Sequence, residues 1–145
     1  MYIGEYNHTI DSKGRLILPA KLRESIGDEI VITKGVEGCL FAYDKRSWEE
    51  VGEKLNSIPT LTRIELRAVK RKFLAGANEM EVDKQGRFLV PQNLREYAGL
   101  DKNVVLAGVG DYIEIWDKEK WDNLYETDVE LEMALKQLGN DGYHM

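Results

Sequence analysis

The chain has 145 residues and a formal net charge of −6, with 43% hydrophobic and 32% charged residues, the balance of a soluble globular protein of one domain or two small ones sharing a core. No apolar run approaches the roughly 18–20 residues of a membrane span, and Met1-Tyr2-Ile3-Gly4-Glu5 lacks a basic stretch followed by an apolar one, so no signal peptide and a cytoplasmic location are expected. Cys39 is the only cysteine and His8 and His144 are the only histidines, which excludes an intramolecular disulfide framework and a Cys/His zinc cluster within one chain.

Taken in chain order, residues 6–10 read as a short strand, followed by a Lys13-Gly14 turn. Leu16-Ile17-Leu18 is a short apolar run of the buried-strand kind, stopped by Pro19, which suits the first turn of a helix. A helix is predicted over residues 20–26 with Gly27 as its C-cap, then strands at 30–32 and 40–43 and a helix at 45–55. Over residues 60–75, Leu61, Ile64, Leu66, Val69, Phe73 and Leu74 recur at helical spacing, which predicts a bridging helix. The order then repeats: strand 78–82, a Gln85-Gly86 turn, strand 88–90, Pro91, helix 92–98 with Gly99 as C-cap, strands 104–106 and 112–116, and helix 118–125. An amphipathic, acidic helix is predicted at 129–138, with 139–145 frayed. Gly108-Val109-Gly110 is too short and isolated for a dinucleotide loop and is expected at a hairpin turn.

The recurrence is an internal repeat. Asp11-Ser12-Lys13-Gly14-Arg15-Leu16-Ile17-Leu18-Pro19 returns as Asp83-Lys84-Gln85-Gly86-Arg87-Phe88-Leu89-Val90-Pro91, followed by Leu22-Arg23-Glu24 against Leu94-Arg95-Glu96. Further on, Tyr43-Asp44-Lys45 and Trp48 match Trp116-Asp117-Lys118 and Trp121, so the tryptophans are expected as core or interface anchors. Two copies do not make a solenoid; they predict two homologous halves sharing one pseudo-symmetric core. Charge is uneven too. Residues 111–145 hold ten acidic against three basic side chains, a net of −7, which leaves the remainder at +1. Within that remainder Lys13, Arg15, Lys21 and Arg23 cluster, as do Arg63, Arg67, Lys70, Arg71 and Lys72. A polyanion responds to local potential, so these patches outweigh the acidic total.

Asp-x-x-Gly-Arg followed by apolar residues and Pro resembles the SpoVT-AbrB family of swapped-hairpin DNA-binding domains. Two tandem copies, with the opening from Gly4 to Asp11, Lys34-Gly35, Gly38-Cys39-Leu40 and Glu114-Ile115-Trp116, resemble the MraZ family over roughly residues 1–125. The resemblance implies an α+β fold. Two tandem SpoVT-AbrB-like halves of the swapped-hairpin β-barrel type would form one pseudo-two-fold β core with peripheral helices. It divides the chain into a first repeat (5–48), bridging helices (49–76), a second repeat (77–121) and an acidic C-terminal helix and tail (122–145). It further implies a cytoplasmic, nucleoid-associated transcriptional regulator. Such a protein would commonly repress the division and cell-wall gene cluster, binding short direct promoter repeats on double-stranded DNA as a ring-shaped homo-oligomer.

On chemical grounds, an arginine at the end of a tight turn can grip a phosphate bidentately or read the O6 and N7 edge of guanine. Base or phosphate contact is therefore assigned to Arg15 and Arg87, and phosphate contact to Lys13 and Lys84, with Lys21 and Asn93 at equivalent helix positions also in reach of phosphates. Asp11 and Asp83 repel DNA; with Gly14 and Gly86 they are assigned to loop geometry, accepting turn N–H groups or pairing with arginine. The alternative is that the Asp–Arg pairs only stabilise the fold. Arg23 and Arg95 are open between phosphate contact and salt bridges to Glu24, Glu96 or the neighbouring half. The Arg63–Arg71 stripe is read as a solvated face, or a subunit contact with the acidic C-terminal helix, in preference to a groove-reading helix. No Ser-His-Asp, Cys-His or Walker-type arrangement occurs, so no enzyme activity, cofactor, metal, membrane or small-molecule substrate is expected. The other readings are an oligomeric scaffold or an antitoxin-like protein without promoter-specific binding.

Overall fold

Two structurally matched halves interleave in the computed structural model, which describes residues 1–124 and 127–144. The first half holds strand β1 (Tyr2–Thr9), β2 (Arg15–Ile17), helix α1 (Ala20–Ile26), β3 (Glu29–Lys34), β4 (Leu40–Asp44) and α2 (Lys45–Asn56). A 3-10 turn (Ile64–Leu66) and α3 (Arg67–Ala75) lead to the second half. This comprises β5 (Asn78–Glu81), β6 (Arg87–Leu89), α4 (Gln92–Ala98), β7 (Asn103–Gly110), β8 (Ile113–Asp117) and α5 (Lys118–Asp122). The chain then forms α6 (Asp128–Asn140).

Six strands make one antiparallel sheet in the order β1-β7-β8-β4-β3-β5, and β2 pairs with β6 as a separate two-stranded ribbon. Exchanging each strand for its repeat partner reverses this order and leaves it unchanged, so a pseudo-two-fold axis passes between β4 and β8 and through the ribbon. The hairpins are swapped. β1 pairs along its whole length with β7 of the other half, Tyr2 opposite Gly110 and Thr9 opposite Asn103, and β5 pairs with β3. The ribbon ties the halves at the axis, Leu16 opposite Phe88, and Leu18 and Val90 extend it by donating to the carbonyls of Gly86 (2.8 Å) and Gly14 (2.9 Å).

The period-2 pattern of the strands sorts side chains to two cores. Leu40 and Ala42 of β4, Ile30 and Ile32 of β3, and Ile113 and Ile115 of β8 face Leu16, Leu18, Leu22, Phe88, Val90 and Leu94 in the central cluster. Phe41, Tyr43, Val105 and Trp116 face a second cluster closed by Trp48 and Val51 of α2, Phe73 of α3 and Trp121 of α5. Asp44 caps α2, accepting from the Ser47 N–H at 2.8 Å, and accepts the Tyr2 hydroxyl at 2.5 Å, which fastens the start of β1 to that cap. No helix among the described residues is long and apolar enough to cross a membrane.

Several expected boundaries move. β1 starts at Tyr2 and β7 runs to Gly110, because the long β1–β7 ladder extends both beyond their apolar cores. Gly108 lies inside that ladder, where the backbone of Tyr2 and Ile3 comes too close for a Cβ (2.5 Å to the Ile3 nitrogen), and the hairpin turn falls after it, at Asp111-Tyr112. The bridging helix begins at Arg67; residues 60–62 are turn, and the Arg63 N–H bonds back to the Pro59 carbonyl and Arg67 Nε to the Thr60 carbonyl. α5 ends at Asp122, so the helix expected over 118–125 is shorter, and its Tyr125 end lies outside the described residues. α6 runs to Asn140, through residues expected to fray; Met145 lies outside the described residues. A capping box between Thr127 and Glu130 starts α6.

Candidate nucleic-acid interface

Each Asp-x-x-Gly-Arg segment folds into the same turn. Asp11 Oδ1 accepts the backbone N–H groups of Lys13 and Arg15, both at 2.9 Å, and Oδ2 accepts the Arg15 Nε–H at 2.7 Å. Asp83 Oδ1 accepts from the N–H groups of Gln85 (2.9 Å) and Arg87 (2.8 Å), and Oδ2 from Arg87 Nε at 2.9 Å. The arginine backbone N–H, foremost, and then its guanidinium hold both carboxyl groups below the usual aspartate range. The main chain closes the turns: Gly14 and Gly86 donate to the Asp11 and Asp83 carbonyls at 3.0 and 2.9 Å. Both glycines have positive φ, +87° and +81°, where an L side chain is strained.

This anchoring engages one edge of each guanidinium. Only Nε of Arg15 and Arg87 meets the aspartate, and among the described residues no protein acceptor meets their terminal nitrogens. The two side chains are 38% and 36% exposed. They share a face: Arg15 stands opposite Leu89 and Arg87 opposite Ile17, with Leu16 and Phe88 buried on the other side. Diagonal positions of this kind are about 7–8 Å apart. The structure therefore contains the Asp–Arg pairs and leaves the bidentate fork of each arginine open.

Lys13 and Lys84 stand exposed in the turns, and Lys21 of α1 and Asn93 of α4 are exposed on the adjoining helices. Arg23 and Arg95, open at the level of sequence, form no salt bridge with Glu24 or Glu96. Arg23 crosses to the other half, where its Nη2 donates to the Lys84 carbonyl at 2.5 Å. Arg95 Nε donates to the Val90 carbonyl at 3.0 Å, and its guanidinium lies against Gly14. Sequence alone carried one signal for this, the recurrence of each arginine nine residues after the turn glycine, without saying which half's turn it served.

The basic stripe is largely engaged elsewhere. Arg63 pairs with Glu65 at 2.7 Å, Arg67 bonds the Thr60 carbonyl, and Lys72 lies 5.1 Å from the centre of the Tyr97 ring. Leu61, Ile64 and Val69, three of the residues whose spacing predicts that helix, are exposed; Phe73 packs against the second core cluster. Among the described residues no group of three His, Cys, Asp or Glu is arranged to hold a metal ion.

Fold and turns together define a protein of two intertwined strand-turn-strand-helix halves, each presenting an aspartate-anchored arginine at the shared axis. A family described as "MraZ protein, putative antitoxin-like" matches the chain twice, over residues 1–72 and 73–137. A protein of Desulforamulus reducens named transcriptional regulator MraZ is 51% identical over 97% of this chain and 96% of its own length. Proteins of the same name from Heliobacterium modesticaldum (54% identical, 87% of each chain) and Clostridium botulinum (47%, over 98% of this chain and 99% of the other) are similar to it as well. The chain belongs to the MraZ family.

Proposed function

We propose that this chain is a sequence-specific DNA-binding transcriptional regulator, a repressor of the bacterial division and cell-wall gene cluster. It engages short direct promoter repeats as a ring-shaped homo-oligomer, in the cytoplasm and on the nucleoid. Regulation of transcription is the role in the names of the relatives that match nearly its whole length. The observation that carries DNA binding is the pair of arginines on one exposed face, each clamped at Nε by its own aspartate with the outer nitrogens free. A guanidinium already oriented loses less freedom when it meets a phosphate or a guanine edge. Arg15 and Arg87 contact base or phosphate, and Lys13, Lys84, Lys21 and Asn93 surround them as phosphate contacts. Asp11, Gly14, Asp83 and Gly86 hold the turn shape.

One such domain makes few contacts, and affinity built on few phosphates is weak at physiological salt. Several copies joined in a ring raise the effective concentration of every later contact, which makes binding depend steeply on the number of repeats. A fluorescence-anisotropy titration on the DNA upstream of the chain's own gene tests the reading, with scrambled DNA as control and two salt concentrations. Wild type should bind tightly, with affinity rising steeply with repeat number. Arg15→Ala/Arg87→Ala should lose binding while keeping its oligomeric state. Any residual binding should show a log–log salt slope lower by about 2 for each engaged subunit, since each would lose two phosphate contacts. Equal binding by both proteins would move the site to the helix carrying Lys70 and Arg71. Absence of binding by either would leave an oligomeric scaffold or an antitoxin-like protein.

A further inference from the structure

The face that carries Arg15 and Arg87 carries two more side chains. The register puts Ile17 on the same side of β2 as Arg15, and Leu89 on the same side of β6 as Arg87, so the four alternate diagonally across the ribbon. Ile17 is 47% and Leu89 52% exposed, against 0% for Leu16 and 2% for Phe88 beneath them. The solvated face of an antiparallel pair is ordinarily polar. A single exposed leucine needs no explanation. Here both halves place a bulky aliphatic side chain at the matched solvent position, beside an arginine that is held in place.

We propose that Ile17 and Leu89 are specificity-determining residues that seat against the 5-methyl groups of thymine in the major groove, beside the bases or phosphates taken by Arg15 and Arg87. The inference rests on the DNA-binding reading and deepens it. A major groove about 12 Å wide admits a two-stranded ribbon, and apolar side chains there recognise the thymine methyl. Side chains on one ribbon face stand about 5–8 Å apart, a span of two or three base pairs, so each arginine and its aliphatic neighbour address adjacent positions. A protein partner suits this face poorly, because covering Ile17 and Leu89 would also desolvate two guanidinium groups and the flanking Lys13 and Lys84. DNA offers methyl groups and hydrogen-bond acceptors together.

The test uses the full-length chain, promoter DNA from upstream of its gene, and the same DNA with deoxyuridine replacing thymine, which removes only the methyl groups. Wild type should bind the uracil DNA about fourfold more weakly for each contacted methyl lost. Ile17→Ala/Leu89→Ala should bind thymine DNA more weakly than wild type, remain oligomeric, and no longer distinguish the two DNAs. Because the uracil arm uses unaltered protein, a folding defect in the variant does not decide the outcome. Equal wild-type affinity for both DNAs overturns the inference, as does a methyl preference undiminished in Ile17→Ala/Leu89→Ala. If wild type ignores the promoter, or Arg15→Ala/Arg87→Ala binds as wild type does, the DNA-binding reading itself falls and takes this inference with it. Salt-sensitive, arginine-dependent binding without a methyl effect removes only the role of Ile17 and Leu89.

Discussion

The guanidinium of Arg23 occupies the space that a side chain on Gly86 would need: a Cβ built on Gly86 would lie 2.8 Å from Arg23 Nη1. Arg23 belongs to α1 and Gly86 to the opposite half's turn, so each half's turn is roofed by an arginine of the other. Arg95 repeats the relationship over Gly14, again at 2.8 Å. The turn glycines therefore meet two demands at once, a left-handed backbone and a missing side chain.

Gly14→Ala and Gly86→Ala should each lower stability by at least about 1–2 kcal/mol from the backbone conformation alone, with displacement of the arginine added. Gly52→Ala supplies the contrast. Gly52 lies in the interior of α2, has no positive φ, and a Cβ there meets nothing within 4 Å. That substitution should stabilise by roughly 0.5–1 kcal/mol. Chemical denaturation of the three variants checks the opposite signs.

Arg23→Ala should cost about 1 kcal/mol, the ordinary worth of the lost hydrogen bond to the Lys84 carbonyl. Its sharper effect should be local. Hydrogen exchange should quicken at Gly86 and Arg87 in the second turn while the α1 backbone changes little. An effect confined to α1 would contradict the cross-half contact.

Asp11 and Asp83 titrate lower in the folded turns than in the unfolded chain. The stability they contribute is thus complete above the unfolded value of about 3.9 and is lost as the pH falls through the lower folded values. Urea midpoints measured from about pH 5 downward should fall less steeply in Asp11→Asn/Asp83→Asn than in wild type. An identical slope would show that other carboxylates carry the acid sensitivity.

Cys39 is fully buried, its Sγ–H donating to the Val36 carbonyl at 3.2 Å. Burial first, and then the Glu114 and Glu37 carboxylates, push the thiol up to about 12. Near pH 8 the folded chain should react with a disulfide reagent only as fast as it opens, and denaturant should release full reactivity. Rapid labelling of the native chain would contradict this packing.

The repeat made much of this architecture readable in the sequence. Matching Asp11-x-x-Gly14-Arg15 to Asp83-x-x-Gly86-Arg87 located both turns, and the prolines and glycines bracketed α1 and α4 at their observed bounds. Strand partners were beyond local pattern, because nothing in Tyr2–Thr9 says that it pairs with β7 across the molecule; the swap came from family resemblance. The same limit explains the extra length of β1 and β7, which the ladder between them sets. Helical spacing over 60–75 misled because Leu61 and Ile64 fit the period but face solvent in a turned segment. The roofing role of Arg23 and Arg95 was hidden for the same reason as the strand partners: it spans some sixty residues of chain for Arg23 and about eighty for Arg95.

Interleaving two similar hairpins in one polypeptide also removes a constraint. Two copies of a single half, assembled as a homodimer, would present the same residues at both ends of the ribbon. The covalent link through α3 lets the ends differ: Lys13 faces the world where the other turn has Gln85, and Lys21 where the other helix has Asn93. The ribbon has thereby acquired a head and a tail. An object with such polarity can be laid down repeatedly in one direction, whereas a strictly symmetric one has no direction to keep.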